Sequence, residues 1–469
     1  MFTSPQSDHR CFRILLYRND AGEVLVQTTD RGLQFTAVAI PRYSRVAKEI
    51  TAAIHKQWNL VAYSLYSLPI DACRQGTPSY LVAEVCRSDS KSPATMQWFP
   101  VTSLTAEQFA DPSDFTALHN SLTAMDGYRH GELPGFFGKS GWMRIVTDWV
   151  TENASVFGFR LTGRFRQWNA SPTFSLIRFE TDSSALWFKA VGEPNLREYS
   201  ITLALSRNFP AFTARLIAAH PDWNAWLTVE AEGTHPDANS SFEVWMKIAE
   251  SLAELQIASY GQALHLVNAG CKDVRARALA GRVQPYLELM QDLMKLQTKD
   301  SPAPLSRGEL LTLGAQLKDF LAHCDQLSFS NTLGHLDFNP GNILVTRDRS
   351  VFLDWVDAYV GHPFLTLEYL FEHLRRLHPA NPAWESDLRT LYARKWQAFL
   401  PVQEFVEHSK ASSLLAVVAF SLSMDIWQNA ERIVQPGIAK HFRSLTRRMK
   451  HEADLWVHRS SREALPCID

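Results

Sequence analysis

Two apolar-rich runs, Phe12 to Tyr17 and Glu23 to Thr28, flank Asn19-Asp20-Ala21-Gly22 and predict a strand pair closed by a tight turn. The period changes to that of a helix over Val46 to Trp58. It returns to strand at Tyr80 to Cys86 and at Trp98-Phe99-Pro100-Val101, which closes the pattern before Leu104. From Asp126 to Gly138 the chain is rich in Gly and Pro and holds no sustained period, as a linker does. An amphipathic helix is expected from Gly141-Trp142 to Asn153. Strands follow at Leu161 to Trp168 and Phe174 to Glu180, around the turn Asn169-Ala170-Ser171-Pro172. Ala185 to Val191 reads as a third strand, a helix begins near Leu196-Arg197-Glu198-Tyr199, and Trp226 to Gly233 has the form of a further strand running out into a short connection. Thr298 to Ser306 is a loop between long helices. Downstream, Ile343 to Val345 and Val351 to Leu353 form a hairpin turning at Arg347-Asp348-Arg349-Ser350. Ser412 to Val434 is expected as one helix, apolar nearly all round in its first half and therefore buried there. Its second half carries Ser421, Asp425, Gln428 and Arg432 along one side.

At 469 residues the chain passes the size at which one core stops growing, about 250–300 residues, so more than one domain is expected. An apolar content of 46%, with 11% aromatics, supplies substantial cores. The formal charge is only −2 and no Lys/Arg-rich run or basic-aromatic stripe is present, which argues against nucleic acid as a partner. Cys11, Cys73, Cys86, Cys271, Cys324 and Cys467 lack Cys-x-x-Cys pairs and His companions at zinc spacing, and read as reduced thiols. Met1 to Asp8 has no basic or apolar targeting region and no apolar run reaches membrane-spanning length, so a soluble cytoplasmic protein without a membrane partner is expected.

The candidate chemistry lies in His335-Leu336-Asp337-Phe338-Asn339-Pro340-Gly341-Asn342-Ile343-Leu344 and, beyond the hairpin, Phe352-Leu353-Asp354-Trp355. Phosphoryl transfer asks a protein for an Asp that takes or orients the acceptor hydroxyl's proton, and for oxygen ligands to the metal bridging the phosphates. Asp337 suits the first role. Asn342 turns back from the same loop towards a metal through its amide oxygen, and Asp354 reaches it from the far side of the hairpin. These hard oxygen ligands suit magnesium. His335 is expected to pin the loop backbone, since transfer to a hydroxyl already has its base in Asp337.

His-x-Asp-x-x-x-x-Asn with Pro340-Gly341-Asn342-Ile343-Leu344, then Leu353-Asp354-Trp355-Val356-Asp357-Ala358, resembles the aminoglycoside phosphotransferase and choline/fructosamine kinase-like family. That resemblance implies an α+β, bilobal protein-kinase-like fold: a β-rich N-lobe over 141–232 and a helical C-lobe over 233–469. It implies ATP and magnesium as cofactors and a hydroxyl of a small molecule as the acceptor. It also assigns Lys189 to the ATP phosphates, Glu198 as the helix carboxylate that pairs with it, and backbone groups of about Glu230 to Glu232 to adenine. The turn at Asn169 to Thr173 is not a Gly-rich loop, which places the likeness in the small-molecule branch. Where many relatives carry Gly-Asp-Pro, this chain has Gly361-His362-Pro363, which changes the hydrogen bonds of that segment.

Residues 1–125 resemble a Nudix domain in the order of their elements, joined to the kinase-like part by a linker over 126–140. The catalytic box does not match. Lys56 and Gln57 stand where adjacent metal-binding glutamates belong, and Ala52-Ala53 where Arg-Glu belongs. The resemblance thus implies a Nudix-like module without hydrolase activity, used for packing, for homodimer formation or for ligand sensing. The other reading is an unrelated small α+β domain.

In the resembled family the acceptor pocket is built by C-lobe helices, so Asp425 with Trp427 is a candidate contact for a polyhydroxylated or cationic acceptor. The plainer reading is a helix emerging into solvent. Two function classes follow: a kinase acting on an antibiotic, sugar or amino alcohol, or a non-catalytic nucleotide-binding sensor coupled to the Nudix-like module. Retention of Asp337, Asn342, Asp354 and Lys189 together favours the enzyme.

Overall fold

The computed structural model describes residues 9–68, 79–86, 96–326, 331–399 and 401–463. The chain forms two compact units, Met1–Tyr199 with Arg215–Glu230, and Ser200–Ala214 with Ala231–Asp469. Sheets dominate the first and helices the second, an α+β architecture.

In the first unit β1 (His9–Arg18) and β2 (Glu23–Thr29) pair antiparallel across a turn in which Asn19, Asp20 and Ala21 all take positive φ, a conformation Asn and Asp tolerate best. With β3 (Gly32–Gln34), β4 (Ala37–Pro41), β5 (Ala62–Ser67), β6 (Ser79–Val85) and β7 (Met96–Pro100) they make a seven-stranded sheet in the order β3-β2-β1-β6-β5. There β4 pairs with β1, β7 with β2, and β1 runs parallel to β6. Helix α1 (Val46–Trp58) buries Ala47, Ile50 and Ile54 and closes on Asn59 at φ 54°.

Asp126 to His130, expected to begin the linker, are instead the last turns of α2 (Pro112–His130). Local chemistry makes the helix. Asp111 caps it by accepting from Ser113 N, Pro112 opens it, and Gly131 closes it at φ 78°. Its interior is polar because distant partners satisfy it: Asp114 takes Arg13 at 2.6 Å and Tyr80 at 2.8 Å, and Ser121 bonds Tyr17 at 2.5 Å. Helix α3 (Trp142–Val156) buries Trp142, Val146, Val150 and Ala154, one residue per turn, as its amphipathic pattern predicts.

A second, antiparallel sheet follows in the order β11-β12-β10-β9-β8, from β8 (Leu161–Ser171), β9 (Phe174–Thr181), β10 (Leu186–Ala190), β11 (Leu216–His220) and β12 (Ala225–Val229). β8 runs through Asn169, Ala170 and Ser171, so the turn is tighter than the sequence suggests and rests on Pro172-Thr173. The two sheets share one core. Tyr63 packs edge-on to Trp142 at 5.3 Å, Trp142 to Phe137 at 5.0 Å, and Phe137 to Phe188 of β10 at 6.1 Å. Helix α4 (Arg197–Asn208) begins in this unit with Glu198.

The second unit holds α5 (Phe242–Ala258), α6 (Ala263–Asn268), β13 (Lys272–Asp273), α7 (Ala276–Lys295) and α8 (Arg307–Gln326), then β14 (Thr332–His335). The hairpin β15 (Ile343–Val345) and β16 (Ser350–Phe352) and the strand β17 (Ala358–Gly361) precede α9 (Phe364–Leu377) and α10 (Ala383–Trp396). The helix expected over Ser412 to Val434 is broken. α11 (Val402–Ser423) stops before Met424, a 3-10 turn spans Asp425–Gln428, and Asn429 caps the short α12 (Ala430–Ile433) by accepting from Arg432 N, before α13 (Pro436–Glu463). Asn429 offers the backbone a local bond that competes with helix continuation. No helix among the described residues is long and apolar enough to cross a membrane. Cys11 and Cys324 are free thiols; Cys73 and Cys467 lie outside the described residues.

Candidate active site

In the second unit β14 delivers His335 into a fully buried position at the head of the loop. Its Nε2 donates to Leu353 O at 3.0 Å and its Nδ1 accepts from Asp337 N at 3.1 Å, which fixes one neutral tautomer. Burial drives its pKa below the usual histidine value and keeps the ring uncharged. His335 thus ties the loop to the strand that precedes Asp354.

Asp337 is held at both oxygens. Asn339 Nδ2 donates to Oδ1 at 2.8 Å and Asn342 Nδ2 to Oδ2 at 3.0 Å. Asn339 does double duty, its own Oδ1 accepting from Gly341 N at 2.8 Å to start the 3-10 turn Pro340–Asn342. Because Asn342 spends its NH2 on Asp337, including a 2.9 Å bond to the main-chain oxygen, its amide oxygen is the atom that remains for a metal ion. The hairpin ladder brings the residue before Asp354 to Asn342: Ile343 pairs with Phe352, and Leu353 N donates to Asn342 O at 2.8 Å. Asp354 itself is exposed and sits at φ 61°, a left-handed conformation that Asp accepts more readily than most residues. Among the described residues no group of three or more His, Cys, Asp or Glu gathers as a metal cage. Two oxygen donors and open positions fit magnesium, which keeps waters and takes phosphate oxygens from its substrate.

The loop is mounted on neutral hydroxyls. His335 N donates to Thr366 Oγ1 at 2.9 Å, Thr366 Oγ1 and Tyr359 OH bond at 2.9 Å, and Thr366 N donates to Tyr359 OH at 3.1 Å. His362, the residue that departs from the Gly-Asp-Pro pattern, accepts from Phe364 N through Nδ1 at 3.2 Å, one residue ahead of Pro363, the N-cap of α9. Gly334 is required by this mount, because a Cβ there would stand 2.0 Å from a Tyr359 ring carbon. Gly334→Ala is therefore expected to lower stability by about 1–3 kcal/mol. By contrast, Gly281→Ala in α7, where a Cβ meets nothing within 4 Å, should be neutral or slightly stabilising. Urea midpoints of the two variants check this, and equal midpoints would contradict it.

In the first unit Lys189 Nζ donates to Glu198 Oε1, and the Glu198 side chain is only 3% exposed. Lys189 also stands over the Trp226 ring at 5.6 Å. The Glu230 side chain is committed elsewhere: Arg178 grips it with two bonds of 2.6 and 2.7 Å and Trp187 Nε1 donates at 2.9 Å. The Arg178 bonds hold its pKa below the usual carboxylate value. Its N–H donates to Ala185 O at 2.8 Å. Glu232, in the second unit, is exposed. The next residue, Gly233, has φ 126° and lies so close to Val345 O that a Cβ would come within 2.7 Å. There Thr234 and Val345 exchange backbone bonds of 3.1 and 2.9 Å, tying this connection to β15.

Of the acceptor candidates, Trp427 belongs to the core: it is 7% exposed, packs edge-on to Tyr286 at 5.7 Å and donates to Leu422 O at 3.4 Å. Asp425 keeps an exposed side chain, 3.9 Å from Lys272, which bonds Asp357 at 2.8 Å. Sequence reading missed Tyr369 and His373, one turn apart on α9. Their rings meet edge-on at 5.2 Å, Tyr369 stacks towards Phe420 at 6.5 Å, and both feel the charge of Asp337. Burial raises the Tyr369 pKa and lowers that of His373. Their spacing just after Gly361-His362-Pro363 was the available signal. Thr366 and Tyr359 gave none.

Residues 222–400 match the model of the APH family, the phosphotransferase enzyme family. Among solved structures, macrolide 2'-phosphotransferase MphH from Brachybacterium faecium is 15% identical, with 64% of this chain and 96% of that one covered at a TM-score of 0.43. Choline kinase LicA from Streptococcus pneumoniae is 13% identical over 67% of this chain and 100% of its own, at 0.44. A putative aminoglycoside phosphotransferase from Ralstonia eutropha JMP134 is 15% identical over 66% and 98%, at 0.43. No curated protein matches the sequence.

Proposed function

We propose that this chain, which matches the phosphotransferase enzyme family over residues 222–400, is an ATP-dependent kinase that phosphorylates a hydroxyl of a small molecule. Asp337 accepts or orients the hydroxyl proton, and Asn342 and Asp354 would hold the magnesium that accompanies ATP. Lys189, oriented by Glu198, neutralises those phosphates. Backbone groups of about Glu230 to Glu232 hydrogen-bond adenine. The N-terminal 125 residues take no part as a hydrolase, since α1 offers one carboxylate, Glu49, and presents Lys56 and Gln57 to solvent.

The observation that carries this reading is the state of Asp337 and Asn342. Two side-chain amides aim the carboxylate, and the same bonds leave the Asn342 oxygen for the metal. A protein that only sensed nucleotide would have no need of a carboxylate held this way. The acceptor belongs to the antibiotics, sugars or amino alcohols, and Tyr369 and His373 are its nearest candidate contacts. Full-length protein incubated with magnesium-ATP and pooled aminoglycosides, macrolides, nucleosides, sugars and amino alcohols should yield one compound heavier by a phosphate in mass spectrometry. Nucleotide binding without any phosphorylated product across the pools would instead support the sensor.

A further inference from the structure

The sheet that carries Lys189 has two unlike faces. Leu186, Phe188, Ala190, Ile177 and Phe179 fill the shared core on one side, while Trp187, Lys189, Leu176 and Arg178 lie half-buried on the other. Register extends that second face to the edge strand, since Lys189 pairs with Leu176 and Leu176 with Asn169. The ladder shifts between Gln167 and Asn169, and this turns Trp168 against Trp187 at 5.3 Å.

Two cations from the N-terminal part of the chain stand on this edge. Arg45 lies 5.4 Å and Lys48 4.6 Å from the centre of the Trp168 ring. In the orientation that satisfies both ends of its amide, Asn169 accepts from Arg45 Nη1 at 3.0 Å and donates to Trp168 O at 2.8 Å. The nearby Arg178 is answered by Glu230, but neither Arg45 nor Lys48 has a carboxylate partner among the described residues. Their contact with Trp168 is a modest attraction, and the first turn of a helix is where cations are least favoured, so the stability of α1 does not explain them.

The frame beneath them is tied by hydrogen bonds. Buried Gln167 mimics a strand, its Oε1 accepting from Ser64 N at 2.7 Å and its Nε2 donating to Ser64 O at 3.0 Å. At the other end of the hairpin, Pro172 O accepts from Phe137 N at 2.9 Å, and Gly135 approaches so closely that a Cβ would lie 2.4 Å from the same oxygen.

We infer that Arg45 and Lys48 are contacts for the nucleotide's polyphosphate, extending the anion site of Lys189 along the sheet face and making the N-terminal part of the chain a working part of the ATP site. With strands about 4.8 Å apart, Asn169 is roughly 10 Å from Lys189, a span that long basic side chains close onto one triphosphate. The inference rests on the reading of Lys189 as the ATP lysine. Titration calorimetry of the full chain with magnesium-ATP and with adenosine tests it. In Arg45→Ala/Lys48→Ala the Kd for magnesium-ATP should rise about tenfold while that for adenosine stays within about twofold, with the melting temperature unchanged and Arg45→Lys recovering part of the loss. Unchanged ATP affinity, or equal loss for ATP and adenosine, overturns the inference and leaves the kinase reading intact. A wild type that binds no magnesium-ATP overturns both.

Discussion

Asp337→Asn will reduce phosphoryl transfer by about 10²–10⁴-fold, the range a positioned general base contributes, while magnesium-ATP affinity stays within a few-fold. The amide has the shape of the carboxylate but cannot take a proton. It also brings a conflict of its own. Both Asp337 oxygens accept from side-chain NH2 groups, so the new NH2 must face that of Asn339 or Asn342. Asp337→Ala removes the base without this clash. The two variants should therefore lose kcat alike and differ in KM for magnesium-ATP, with Asn the worse if Asn342 is pushed from the metal. A wild-type rate in either variant would rule Asp337 out as the base.

The second large effect concerns Lys189 and Glu198. Lys189→Ala leaves a carboxylate that is 3% exposed without its cation, and removing one member of such a pair costs about 3–5 kcal/mol. The double variant Lys189→Ala/Glu198→Ala should regain much of that stability, because no charge is left stranded. It should not regain ATP. At a hundredfold excess over Kd, magnesium-ATP stabilises the wild type by about 2.7 kcal/mol, and this increment should be absent from the double variant and from Asp354→Ala. Thermal scans with and without magnesium-ATP read both quantities. A double variant that still shows the full ATP increment would remove Lys189 from the nucleotide site.

Local chemistry was legible in the sequence. Val46–Trp58 came out with its observed bounds because apolar spacing and Asn59 mark it from both sides, and the hairpin before Asp354 followed from its turn residues. The order of β8, β9, β10 and the helix bearing Glu198, set against the resembled family, pointed to the ion pair that Lys189 makes with Glu198. What escaped was settled by distant partners. α2 looks polar throughout because Asp114 and Ser121 are answered by Arg13, Tyr80 and Tyr17 about a hundred residues away or fewer, an arrangement that no window of sequence contains. The burial of Trp427 depends on Tyr286, far away in sequence. The hydroxyl mount of Thr366 and Tyr359 leaves no periodic trace.

The aromatic chain from Tyr63 through Trp142 and Phe137 to Phe188 bears on how such a gene can change. A recombination event that joined residues 1–125 of one relative to the remainder of another would cross a packed interior, and side chains chosen against different neighbours would meet there. Substitutions on the two sides of Asp126–Gly138 must accordingly be inherited together. The Gly- and Pro-rich stretch that looks like a seam is a poor place for a crossover, and chimaeras of homologues should tolerate a junction there less well than one placed at an exposed loop of the helical unit.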